Sequence, residues 1–199
     1  MGDNLYTDSV VALDPDTGAL KWHFQFTPHD EFDYDSTQVP VLADIEWQGR
    51  PRKVMIWANR NGFWYVLDRA TGEFLSGKPF TKVSWTTGLD AKGRPQNQVT
   101  PTADGLVVYP HLAGGTNWYS PSYSPKTGLF YVSTWQDGHA TFIKGPAEYV
   151  EGRAYFGTFP TGTTLSINGT QVNRRMSGEG HGALLALDPK TGKIGRAHV

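Results

Sequence analysis

An all-β fold is predicted for this chain by three features of its sequence. Glycine and proline, 23 and 13 among 199 residues, cut it into short segments. Those segments are rich in aromatic and β-branched residues, with 7 Trp, 9 Tyr and 10 Phe against 19% charged residues, the balance of a protein of short strands and many turns. A turn unit also recurs four times, while no window carries apolar residues at helical spacing.

The strands expected, in order, are "SVVALD" (9–14), "KVMIWAN" (53–59), "GFWYVLD" (62–68), "LFYVSTW" (129–135), "AYFGTF" (154–159) and "ALLALD" (183–188). Each is short, apolar and bounded by Gly, Pro, Asn or Asp. The recurring unit reads "VVALDPDTGALKW" (10–22), "YVLDRATGEFL" (65–75), "PSYSPKTGLFYVS" (121–133) and "LLALDPKTGKI" (184–194). In each copy an apolar run meets Asp or Ser, then two residues, then Thr-Gly, then a second apolar run. This is the pattern of a β-hairpin whose Asp side chain accepts backbone amides and whose Gly takes positive φ.

The turns begin at Asp14, Asp68, Ser124 and Asp188, spaced by 54, 56 and 64 residues, which is about one propeller blade with insertions. The chain then supplies three to four blades, fewer than a closed ring needs, so residues 1–194 are expected to be part of a larger β-propeller domain. The last copy breaks off where the first continues "TGALKWHF". The ending "KIGRAHV" matches a translated sequencing adapter, and residues 195–199 are expected to be a non-native tail.

Composition narrows the function. Net charge is −1, with 18 basic and 19 acidic residues and no basic stripe, which argues against nucleic acid as a partner. No apolar run is long enough to span a bilayer, and no secretory leader opens the chain. The absence of cysteine excludes disulfide and thiolate chemistry in this chain. "GEGHGA" (178–183) has the spacing of a dinucleotide fingerprint but precedes a strand where that fingerprint needs a helix, so it is rejected; "NGT" (168–170) reads as a hairpin turn. The six histidines show no paired metal spacing.

The chemistry concentrates in "TPHDEFDYDSTQ" (27–38). In a strand beginning near Phe32, alternation places Asp33 and Asp35 on one face, about 7 Å apart, and Phe32 and Tyr34 on the other. Two such carboxylates repel unless a proton or cation relieves them, and a hard cation with oxygen ligands fits, calcium or a trivalent ion of similar size. Arg60, between two apolar strands in "WANRNGFWYVLD" (57–68), is suited to an anionic cofactor or a developing oxyanion, although a lone Arg in a loop is usually exposed.

Three stretches, "GDNLYTDSVVALDPDTGALKWHFQFTPHDEFDYDS" (2–36), "NRNGFWYVLDRATG" (59–72) and "GGTNWYSPSYSPKTG" (114–128), resemble the pyrroloquinoline-quinone-dependent alcohol dehydrogenases, the group of quinoprotein methanol and ethanol dehydrogenases. With the repeat, the resemblance covers residues 2–194. It implies an eight-bladed propeller of four-stranded sheets with the quinone near its axis above a metal ion. Position by position, it implies Asp33 as the catalytic base and a metal ligand, and Arg60 and Asn117 as quinone contacts, with Trp118 beside them. Asp35 stands where lanthanide-dependent members carry an extra Asp ligand and calcium-dependent members a small residue, so the expected ion is a lanthanide, with Ca2+ as the alternative. Phe32 stands where the family commonly has Trp.

The reaction implied is oxidation of a primary alcohol to an aldehyde by hydride transfer to the quinone. A cytochrome c would accept the electrons, in a periplasmic enzyme, a homodimer at full length. The family's other metal ligands, a Glu and an Asn, precede the stretch matched here, so this chain alone is expected to be inactive. Two other classes compete: a non-catalytic propeller acting as a binding scaffold, and a hydrolase using a carboxylate pair. The first leaves Asp33, Asp35, Arg60 and Asn117 without a role.

Overall fold

The computed structural model describes residues 2–145, 148–152, 158–161 and 180–195. In chain order, strands β1 (Ser9–Leu13) and β2 (Leu20–Gln25) form a hairpin. Strands β3 (Val41–Trp47), β4 (Arg50–Ala58), β5 (Phe63–Asp68) and β6 (Phe74–Pro79) form an antiparallel meander. A long connection follows, with the small ladder β7 (Gly88–Leu89) and β8 (Pro95–Gln96) and then β9 (Leu106–Val108). A second four-stranded sheet is made by β10 (Ser122–Ser124) and β11 (Leu129–Gln136), interrupted by β12 (Ala140–Lys144) and β13 (Thr158–Thr161), and completed by β14 (His181–Leu187) and β15 (Ile194–Gly195). The interrupting strands pair with β9 in the order β13-β12-β9. The all-β expectation therefore holds, with no helix among the described residues.

Of the expected strands, "AYFGTF" lies outside the described residues except for its last two positions, which open β13. The adapter-like tail lies outside them from residue 196, and Gly195 pairs with Ala186. "NGT" (168–170) also lies outside. "GEGHGA" is described from Gly180, where it runs into β14 rather than a helix.

The recurring turns close as their chemistry requires. Asp14 accepts the amides of Asp16 and Thr17, each at 3.1 Å. Asp68 accepts those of Ala70 and Thr71 at 2.9 and 3.0 Å, and Ser124 accepts that of Thr127 at 3.3 Å. The copies at Asp14, Asp68 and Asp188 close the last hairpins of three successive sheets, whereas Ser124 closes the first hairpin of the third. Four copies thus mark three sheets. The longest spacing contains the interruption by β12 and β13.

Within the β3–β6 sheet, β3 alternates buried and exposed residues, whereas β4 from Val54 onward and β5 are buried on both faces, so they read as continuous apolar runs. Alternation sorts their side chains into two cores. Val54, Ile56, Ala58, Trp64 and Val66 face Phe130, Val132, Leu185 and Leu187 of the third sheet. Met55, Trp57, Phe63, Tyr65 and Leu67 face Phe24 and Phe26 of the first hairpin, together with Phe32, Tyr34, Trp85 and Phe142. Indole rings tie successive sheets together: a Cβ at Gly72 would stand 2.7 Å from Trp22, and one at Gly192 would stand 2.9 Å from Trp64.

These turn glycines permit a controlled test. Gly18, Gly72 and Gly128 have nearly the same φ, between 70° and 77°, but only Gly72 has an indole over it. Gly18→Ala and Gly128→Ala are expected to cost about 1–2 kcal/mol each for the left-handed backbone. Gly72→Ala is expected to cost roughly 1–3 kcal/mol more, because the Trp22 ring must move. Chemical unfolding of the three variants measures the difference, and equal losses would remove the inter-sheet role of Trp22.

Candidate active site

Three loops meet at the guanidinium of Arg60. The first is the four-residue turn between β4 and β5, whose geometry is set by its asparagines. Asn59 Oδ1 accepts the amide of Asn61 at 3.0 Å, and Asn61 Oδ1 accepts that of Phe63 at 3.1 Å. Both asparagines are fully buried, and Asn61 also donates to Tyr65 Oη at 2.9 Å and Thr27 Oγ1 at 3.1 Å. The turn is therefore rigid, and Arg60 is buried at 8% exposure, where a lone loop arginine is ordinarily exposed.

The second loop carries the acidic stretch. Residues 32–38 form no strand, contrary to expectation, although their burial alternates as a strand would have it: Phe32 and Tyr34 inside, Asp33 and Asp35 outside. The physical reason is Asp30, whose carboxylate accepts the amides of Phe32 at 2.8 Å and Tyr34 at 2.5 Å, taking donors that a ladder would use. Asp33 sits at φ +61°, which no regular strand contains. Tyr34 Oη donates to Pro110 O at 2.6 Å, and the Phe32 ring meets Phe142 of β12 edge-on. His29 is tied to the chain start, its amide donating to Asp3 O at 3.1 Å.

The third loop, 110–117, wraps the backbone of Arg60. Arg60 Nη2 donates to Leu112 O at 2.7 Å, and the Gly115 amide donates to Arg60 O at 2.9 Å. Gly114, at φ +83°, leaves no room for a side chain: a Cβ would lie 2.6 Å from Arg60 O. Asn117 Nδ2 donates to Ala113 O at 3.0 Å while its Oδ1 accepts the Trp118 amide at 2.9 Å.

The structure thus brings Asp33, Asp35 and Arg60 together. Asp33 Oδ2 lies 3.8 Å from Arg60 Nη2, and Asp35 Oδ2 lies 3.6 Å from Nη1. Both are ion pairs too long to be hydrogen bonds. The two carboxylates repel one another, and they are about two-thirds exposed over the buried guanidinium. Partial desolvation raises the Asp33 pKa, with Arg60 opposing that rise and Asp35 adding to it. Asn117 is joined to this group through its loop. Trp118 stands apart, 68% exposed, with its ring on Tyr119 at 5.2 Å.

The donor set fits a hard cation beside an anionic cofactor. Two adjacent carboxylates suit an oxygen-seeking ion, and Arg60 Nε is buried without a partner. Among the described residues no third His, Cys, Asp or Glu joins a cation cage, so Asp33 and Asp35 make only part of a coordination shell. Sequence reasoning missed the carbonyls of Pro110, Leu112 and Ala113 and the glycine at 114. Only the Gly-Gly pair in "GGTN" hinted at a close backbone approach.

The chain is similar to known proteins over most of its length. The family described as "Glucose/ethanol/alcohol dehydrogenase, beta-propeller domain" matches residues 1–84. A 1-butanol dehydrogenase (cytochrome c) of Thauera butanivorans is 52% identical over 65% of this chain and 19% of its own length. The quinoprotein alcohol dehydrogenase PedH of Pseudomonas putida is 39% identical over 96% of this chain and 32% of its own. The quinohemoprotein alcohol dehydrogenase structure from Comamonas testosteroni superposes with a TM-score of 0.80 at 36% identity, covering 99% of this chain and 30% of that one. A europium-containing methanol dehydrogenase gives 0.79 at 30% identity, covering 98% and 33%. The chain spans about a fifth to a third of the length of these proteins.

Two outcomes are expected from the site's packing. Gly114→Ala is expected to cost about 2–5 kcal/mol, since both the positive φ and the Arg60 backbone oppose the methyl group; chemical unfolding reads it. The second concerns Asp8 and Asp30, whose pKa values burial pushes up to about 6 and about 7. A carboxyl raised in the fold binds its proton more tightly there than in the unfolded chain. Its stabilisation is complete below pH 3.8 and is lost as pH rises through 6 and 7. Metal-free protein should therefore lose stability from pH 4 to 7 more steeply than the Asp8→Asn/Asp30→Asn variant, and parallel curves would refute the shifts.

Proposed function

We propose that this chain, which belongs to the pyrroloquinoline-quinone-dependent alcohol dehydrogenase family, supplies the base, part of the cation site and one wall of the quinone pocket of an enzyme that oxidises primary alcohols to aldehydes. The observation that carries the proposal is the meeting of Asp33, Asp35 and Arg60, two exposed carboxylates over a buried guanidinium. Asp33 takes the hydroxyl proton of the alcohol on a carboxylate oxygen. When bound, the quinone supplies a hydride acceptor and the cation supplies Lewis acidity.

Asp33 and Asp35 would hold the cation, and the second carboxylate favours a lanthanide over Ca2+, because a trivalent ion gains more from each anionic oxygen. The Arg60 guanidinium would balance the negative charge of the cofactor, with Asn117 beside it and Trp118 at the rim. The reduced enzyme would pass electrons singly to a cytochrome c, the acceptor for which the Thauera relative is named. The setting is the periplasm, with a homodimer at full length. Among the described residues no helix is long and apolar enough to cross a membrane.

The test is dye-linked ethanol oxidation by the full-length protein with added quinone, comparing La3+ with Ca2+. Asp33→Asn is expected to lower kcat by roughly 10²–10⁴-fold with the fold intact. Asp35→Ala is expected to abolish lanthanum-supported turnover. Activity with Ca2+ alone would remove the metal role of Asp35. No turnover and no quinone uptake with either ion would point to a binding scaffold instead.

A further inference from the structure

We infer that His111 is a positioning residue: through the turn at 110–114 it sets Arg60 and Asn117 in one register toward the bound quinone. The inference rests on the reading of Arg60 and Asn117 as quinone contacts. That turn is the meeting point of the site. Its carbonyls at Pro110, Leu112 and Ala113 accept hydrogen bonds from Tyr34, Arg60 and Asn117, at 2.6, 2.7 and 3.0 Å. Three side chains from three segments thus take their positions from five consecutive residues.

The imidazole holds those residues in shape. Its Nδ1 accepts the Ala113 amide at 3.0 Å, between the two carbonyls that receive Arg60 and Asn117. The Gly114 amide closes back on His111 O at 2.7 Å, and the His111 amide donates to Gly138 O at 3.0 Å. The ring lies flush on Gly138, where a Cβ would stand 2.2 Å from Cδ2, and it packs on Trp135 at 5.4 Å. Acceptance at Nδ1 requires the neutral ring. Burial, the Arg60 charge and His139 lower the imidazole pKa to about 4, so the acceptor persists at working pH. An aliphatic residue would fill the seat but leave the Ala113 amide without its acceptor.

The test titrates quinone into the full-length protein, following tryptophan fluorescence, alongside thermal unfolding without quinone. His111→Asn carries an acceptor near the Nδ1 position, His111→Gln carries one a bond farther out, and His111→Leu carries none. Quinone binding is expected to weaken roughly ten- to hundredfold in His111→Leu, by analogy with the loss of groups that orient ligands. It should return to within about threefold of the original in His111→Asn but not in His111→Gln. In an Arg60→Ala background the His111→Leu loss should be smaller, because one of the two groups being positioned is gone.

Equal binding by the Leu variant, or the same loss with and without Arg60, would overturn the inference. Should His111→Leu fail to fold, the Asn–Gln contrast decides, and equal binding by those two overturns it as well. Failure of the unmodified protein to bind quinone would sink the proposed function and this inference together. Normal binding there with an unaffected Leu variant would sink only the inference.

Discussion

The structure depends on two neighbouring strand segments with no solvent face. Strands β4 and β5 must satisfy two cores at once, so every position from Val54 to Ala58 and from Phe63 to Leu67 is buried. A strand confined in this way cannot slip by one residue, because the slip would exchange the contents of the two cores. Register is fixed, and so is the place where the strands end. The turn that joins them carries Arg60 and inherits its precision from that confinement.

Burying a guanidinium is costly, and the site answers the cost with partial compensation. One Nη donates to Leu112 O, two carboxylates stand just beyond hydrogen-bonding distance, and Nε stays unmatched. A site finished within itself would have closed these contacts. The asparagines flanking Arg60 do the opposite job, with both side chains occupied by backbone amides and neighbouring hydroxyls. In "NRNG", the asparagines build the turn and the arginine keeps a buried Nε without a hydrogen-bond partner.

Much of this was legible in residue order. Asp-x-x-Thr-Gly carries its own turn chemistry, because acceptor, amides and positive-φ residue lie within five positions. The alternation of Phe32, Asp33, Tyr34 and Asp35 told inside from outside correctly while suggesting the wrong backbone. Periodicity reports which side chains are buried, and Asp30 produced the same burial pattern by capping two amides where a strand would pair them. Four turns mark three sheets, within the three to four blades expected, since the Ser124 hairpin uses the same chemistry at the other end of a sheet.

The sequence by itself determined the class of fold, the hairpin turns and the residue types offered for chemistry, because these follow from interactions between residues a few positions apart. Tertiary structure alone decided that Arg60 is buried, that Asp33 and Asp35 flank it, and that the Leu112 carbonyl, some fifty residues later, receives it. Those facts belong to the packing of the first hairpin, the central sheet and the 110–117 loop. No local pattern encodes a contact whose partners are brought together only when separate sheets share a core.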